Sequence, residues 1–189
     1  MHTTTQRKTA EEFQMSQLST WVTKVLVVTV GLVMMGFNLG GCGGPNYGRH
    51  ELEICLSEPL KGKTVEVDVI GVINDQDVET WKSVGVTKYF SAGDSTRREA
   101  VGRQQFKYSA GDSGCKTVSS QDPVWDAAWR GARSVVILAN IPFLESESGI
   151  TDPRRVVVTL QKGSWENDKV QIQVGESGIR VLTPQKQPK

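Results

Sequence analysis

The chain is expected to be mainly β, a small antiparallel β-sandwich with one or two short helices. Three observations predict it. Apolar residues recur with period two in seven short segments, most of them β-branched. Turns rich in Gly, Ser and Asp separate those segments. The region that carries them, residues 51–183, has the length of one domain with room for a core.

The first segment alternates Leu52, Ile54 and Leu56 with Glu51, Glu53 and Cys55. The second alternates Val65, Val67 and Val69 with Glu66 and Asp68. Strands are then expected at Gln104–Tyr108, Ser134–Ala139, Arg155–Leu160, Val170–Val174 and Gly178–Leu182. The runs 134–139 and 155–160 are nearly continuous in apolar residues, the pattern of central strands.

Two helices are expected between strands. In Asp122–Gly131, Asp122 can cap, Pro123 suits the first helical position, and Gly131 suits the C-terminal turn. Trp125 and Trp129, four apart, then share a face with Val124 and Ala128. The second spans Asp75–Ser83, with Val78 and Trp81 on one side. Residues 184–189 read as a polar, flexible tail.

The N-terminal region carries a different signal. An uncharged apolar run of about 13 residues, Val25 to Phe37, follows Lys24. A membrane-spanning helix needs about 20 apolar residues, so the run fits the h-region of a secretory signal. It ends in Leu39-Gly40-Gly41-Cys42, which resembles the lipobox of bacterial lipoproteins. The resemblance implies cleavage between Gly41 and Cys42. It also implies fatty acyl (palmitate) chains on the Cys42 sulfur and a mature chain of residues 42–189. Residues 1–41 are then a signal peptide and 42–50 a lipidated terminus with a short polar tether. Met15 offers an alternative start, because Glu11 and Glu12 are foreign to a signal n-region. Gly43 stands where inner-membrane lipoproteins often carry Asp. The resemblance therefore implies the periplasmic face of the outer membrane, or the cell membrane of a single-membrane organism.

Composition narrows the function classes. Removing residues 1–41 leaves equal numbers of acidic and basic side chains, scattered along the chain. No basic footprint for nucleic acid is present. Cys55 and Cys115 remain as an even pair in an oxidising compartment, which makes a disulfide between them an expectation; the alternative is two unrelated buried thiols. His50 is the mature chain's one histidine and is read as a solvated tether residue. That excludes Ser–His–Asp and Cys–His catalysis within the chain, and any multi-histidine zinc site. Gly111-Asp112-Ser113-Gly114 matches a protease tetrapeptide but is read as a turn. Ser-Ala-Gly-Asp-Ser occurs at 91–95 and again at 109–113, read as two similar strand-ending loops. Asp75, Asp77 and Glu79 lack the spacing of a calcium loop and read as a capped, solvated helix face. Neither a cofactor nor a metal is expected.

Trp81, Trp125, Trp129 and Trp165 read first as core, although tryptophan also marks binding hot spots. Arg130 with Arg133, or Arg154 with Arg155, could rim such a surface. In layout the chain resembles the outer-membrane lipoprotein of type VI secretion systems. The features are the lipobox, the mature length, the early Val-rich strand Thr64–Val72, and a short helical insertion followed by further strands. That resemblance implies a transthyretin-like sandwich that binds the periplasmic domain of an inner-membrane protein. The usual strand motif of that family is absent, so no partner-binding residue carries over. The expected function is a non-enzymatic, lipid-anchored envelope interaction protein. The alternative is a free-standing ligand-binding lipoprotein with a tryptophan-lined cleft.

Overall fold

A computed structural model describes residues 46–112, 114–141, 144 and 151–186. Eight strands form two four-stranded sheets. They are β1 (Glu51–Leu56), β2 (Val65–Val72), β3 (Gln104–Tyr108), β4 (Cys115–Val118), β5 (Ser134–Asn140), β6 (Arg155–Thr159), β7 (Lys169–Gly175) and β8 (Gly178–Val181). One sheet has the order β4-β1-β7-β8 and the other β3-β2-β5-β6. All neighbours are antiparallel except β1 and β7, which run parallel with Leu52 opposite Val170 and Ile54 opposite Ile172. The chain is mainly β, as its periodicity predicts.

The two sheets explain two kinds of alternation. In the first, Leu52, Ile54 and Leu56 meet Val170, Ile172 and Val174 on the inner face and are buried. Glu51, Glu53, Gln171 and Gln173 occupy the other face. The second sheet is covered on both sides. Val65, Val67, Val69, Val135, Ile137 and Val158 face the first sheet. Ile70, Val72, Val136 and Leu138 lie under helices, packed with Val78, Val86 and Tyr89. A sheet covered on both sides reads as a continuous apolar run. This corrects the inference drawn for 155–160: β6 is an edge strand, apolar because both of its faces are covered.

The covering layer is more helical than expected. It holds α1 (Asp75–Ser83), α2 (Val86–Tyr89) and α3 (Ser95–Glu99). Asn74 caps α1 through the Asp77 amide at 2.8 Å, and Asp94 caps α3 through the Arg97 amide at 2.9 Å. The helix expected over 122–131 contracts to one turn, α4 (Val124–Ala127). Its end closes tightly, with the Trp129 amide donating to the Val124 carbonyl at 2.9 Å, five residues back. Both indoles are then drawn inward. Trp125 Nε1 donates to the Ser119 carbonyl and Trp129 Nε1 to the Gly102 carbonyl. Glycines make room for Trp129. A Cβ on Gly71 would lie 2.5 Å from its ring, and Gly102, at φ +68°, would place a Cβ 2.2 Å from that of Ala128.

Strand β4 is absent from the sequence expectation. Its four residues, Cys-Lys-Thr-Val, bury only Val118, so no alternation shows. It pairs with β1 in a register that sets Cys55 opposite Cys115, and their sulfurs are bonded.

Both ends of the domain are better fastened than the sequence suggests. Residues 46–50 were expected in a tether. Instead Tyr47 bridges Gln161, the Gly48 amide donates to the Leu160 carbonyl, and the Lys162 amide donates to the Asn46 carbonyl. His50 is not solvated: it continues the inward series of Leu52 and Ile54 and is 4 % exposed. Of the expected tail, residues 184–186 are held by a Trp165–Gln185 bridge and by the Lys186 amide donating to the Ser164 carbonyl.

Candidate interaction surfaces

The strand ends divide the domain into two poles. At one lie residues 46–50, the 119–133 connection and the 160–168 turn; the bridges just described join the first to the last, and the Leu160 amide donates to the Arg133 carbonyl at 2.8 Å. At the other lie the turn 57–63, the crossing 109–114 and the β7–β8 turn at Glu176 and Ser177. The signal residues Gly41 and Cys42 lie outside the described residues.

The first pole carries a cleft of about 170 Å³ lined by Tyr47–Arg49, Trp125, Asp126 and Trp129–Ala132. Arg49 closes one side through a two-pronged ion pair with Asp126, one prong at 3.1 Å. Arg133 stacks over the Tyr47 ring, 5.6 Å from its centroid, and lies 3.7 Å from the Asp75 carboxylate. Of the two arginines considered for a rim, Arg130 lines this cleft and Arg133 lies beside it over Tyr47. The tryptophans serve the core first. Trp125 and Trp129 are 4 % and 2 % exposed, meet edge to face at 4.9 Å, and spend both indole N–H groups on backbone carbonyls. Trp165 is likewise buried, with its Nε1 on the Thr159 carbonyl.

Arg154 and Arg155 form no rim. Arg154 is buried in a bidentate pair with Asp152, at 3.0 and 2.7 Å. Burial would raise the Asp152 pKa, but the Arg154 hydrogen bonds outweigh it and hold the carboxyl below its usual range. Arg155 donates to the Val84 carbonyl between α1 and α2, and its burial pushes its pKa down. Arg154 thus holds the turn that leads into β6, and Arg155 ties the loop between α1 and α2 to the sheet.

An ionic cluster under the helical layer escaped the sequence reading. Asp68 is fully buried on the outer face of β2. It accepts from Tyr89 Oη at 3.0 Å, Arg97 Nε at 2.8 Å and Arg103 at 3.3 Å. Arg97 also reaches Glu66 at 2.8 Å and covers the Phe90 ring at 4.6 Å. Burial pushes the Tyr89 hydroxyl pKa up, and the Asp68 charge adds to it. Burial would lower the Arg97 pKa, but bonds to Asp68 and Glu66 reverse the direction. The available signal was the strand itself. Glu66 and Asp68 share a face with Ile70 and Val72, so the acids of a valine-rich strand face a covered surface, not solvent.

The two Ser-Ala-Gly-Asp-Ser copies differ in use. The first joins α2 to α3, with Asp94 as cap. In the second, Asp112 accepts from the Ser109 amide at 2.7 Å where the chain crosses from one sheet to the other. Only the second follows a strand. Asp112 and Gly114 of the protease-like tetrapeptide lie in this connection. Asp75, Asp77 and Glu79 sit on the exposed face of α1, and no cluster of potential metal ligands occurs among the described residues. A second hollow, of about 320 Å³, lies at the other pole between Ser57, Gln173, Glu176 and Arg180. No helix among the described residues is long and apolar enough to cross a membrane.

No family model matches the chain, and no curated protein matches it. Solved structures do. Serratia marcescens Lip, a membrane-bound component of the Type VI Secretion System, is 14 % identical over 76 % of this chain and 100 % of its own, with a TM-score of 0.42. The type VI secretion lipoprotein TssJ1 of Pseudomonas aeruginosa is 12 % identical over 76 % of this chain and 100 % of its own, at 0.45. A chain of a type VI membrane complex is 18 % identical over 72 % of this chain and 99 % of its own, at 0.47. No residue role is transferred from these proteins.

Proposed function

We propose that this protein is a lipid-anchored, non-catalytic interaction component of the cell envelope. More narrowly, we read it as the outer-membrane lipoprotein of a type VI secretion membrane complex. The observation that carries the reading is the Cys55–Cys115 bond. Disulfides persist in oxidising, extracytoplasmic compartments, so the bond agrees with an exported domain. It also accounts for two of the three cysteines and leaves Cys42 of the lipobox-like motif for acylation. The layout supports the narrower reading. The Val-rich β2 is followed by a helical insertion, α1 to α3, and then by the remaining strands. In this function the protein holds a partner near the membrane by surface complementarity. That partner is an inner-membrane protein with a large periplasmic domain.

The test is crosslinking and affinity purification of the full-length protein from detergent-solubilised membranes. A stoichiometric inner-membrane protein with a large periplasmic domain is the expected companion. Recovery of the acylated protein alone would overturn the secretion-complex reading in favour of a free-standing ligand-binding lipoprotein.

A further inference from the structure

We propose that the pole bearing the Trp125–Trp129 cleft is a membrane-contact face whose cations bind the phosphates of anionic lipid headgroups. The inference rests on acylation of Cys42 as read above. Four Cα-to-Cα steps separate Cys42 from Asn46. At about 3.6 Å per residue they span at most about 14 Å. There the slack ends, because the Asn46 carbonyl accepts from the Lys162 amide at 2.8 Å and the Gly48 amide donates to the Leu160 carbonyl at 2.9 Å. Acyl chains on Cys42 lie in hydrocarbon, and a headgroup layer is roughly 5–7 Å thick on each side. The cleft therefore stands about a Debye length or less from the phosphates.

The charge on this flank fits that position. Arg49 and Arg130 line the cleft, Arg133 covers Tyr47, and the Lys162 side chain lies against Gly48. Three carboxylates stand with them: Asp126 pairs with Arg49, Asp75 lies near Arg133, and Asp122 accepts from the Val124 amide. Arg130 and Lys162 have no ion pair among the described residues. Glu166 and Asp168 occupy the turn beyond Lys162. The two cations without an ion pair thus lie beside the cleft, and the domain leans on that side. The opposite pole, with the β7–β8 turn, faces away from the membrane and stays open to a partner.

The experiment uses protein purified from membranes and reconstituted into vesicles of phosphatidylcholine, with or without phosphatidylglycerol. A fluorophore is placed on Ala127→Cys, beside the cleft, or on Glu176→Cys, at the far pole. Quenching by a headgroup nitroxide lipid reports contact. The Ala127 label should be quenched, more so with phosphatidylglycerol, and the Glu176 label should not. Arg130→Glu and Lys162→Glu, which each change the charge by two, should each lower the ratio of contacting to free domain at least about fivefold on anionic vesicles. Equal quenching of both labels, or quenching indifferent to phosphatidylglycerol and to both reversals, would overturn headgroup binding while leaving the anchor intact. A mass spectrum showing the N-terminal peptide without acyl chains would overturn the anchor itself, and this orientation with it.

Discussion

His50 shows how little a residue type says without its neighbours. It extends the inward-facing series of β1, and both ring nitrogens are buried without a hydrogen-bond partner among the described residues. An unsatisfied buried polar group costs about 1–3 kcal/mol. His50→Leu keeps the volume nearly constant and removes that cost. It should stabilise the domain by about 1 kcal/mol in urea unfolding; a loss of stability would mean the ring has a partner in solution. Asp152 makes the opposite case. Its folded pKa lies below the reference value of 3.8, so its contribution is complete above that pH and is lost as pH falls through the lower, folded value. Asp152→Asn strands Arg154 in a buried site and should cost about 3 kcal/mol at neutral pH. Measured by thermal unfolding across pH, the gap to the unaltered protein should close below pH 3.8. A gap that stays constant into acid would show that the pair's charge contributes nothing.

At the scale of elements, alternation identified seven of the eight strands, including β8, whose Ile179 and Val181 are only half-buried. It missed β4, which buries one. It also mistook β6 for a central strand, since a run covered on both faces looks alike at an edge and in the middle. Short helices were the least legible. Residues 86–89 and 95–99 are too short to show a period, and they exist because caps and the sheet beneath hold them. The 122–131 segment has good helix signals, yet two indoles seeking carbonyls on different loops bend it after one turn. Asp68 is the clearest case of a site unreadable locally. Its partners come from positions 21 to 35 residues away. Because Tyr89, Arg97 and Arg103 belong to the insertion, the cluster fastens that layer to the sheet. Asp68→Asn should therefore cost about 3 kcal/mol and raise amide exchange first in α2 and α3. Unchanged exchange there would mean apolar contacts around Tyr89 and Val86 suffice.

For the whole molecule, the cysteine bridge is the element that sequence arithmetic anticipated and the sheet register accounts for. Cys55 and Cys115 lie on the outer face of the first sheet, away from the core. The bond therefore adds little packing, and its effect falls mainly on the unfolded chain. Joining positions 60 residues apart removes loop entropy worth up to about 4 kcal/mol in that account. Replacing both cysteines with serine should therefore lower the urea midpoint strongly while leaving the folded domain's near-ultraviolet spectrum unchanged. The unfolded chain, no longer closed on itself, should expose more surface and give a larger m-value. Because Cys115 is exposed, thiol reagents should reduce the bond in the folded state and reproduce the double variant. In the unreduced mature protein no thiol should react after denaturation, since the remaining cysteine is expected to carry the lipid. Two reactive thiols there would show that the bridge does not form. A changed near-ultraviolet spectrum in the double variant would show that the bond shapes the native sandwich as well.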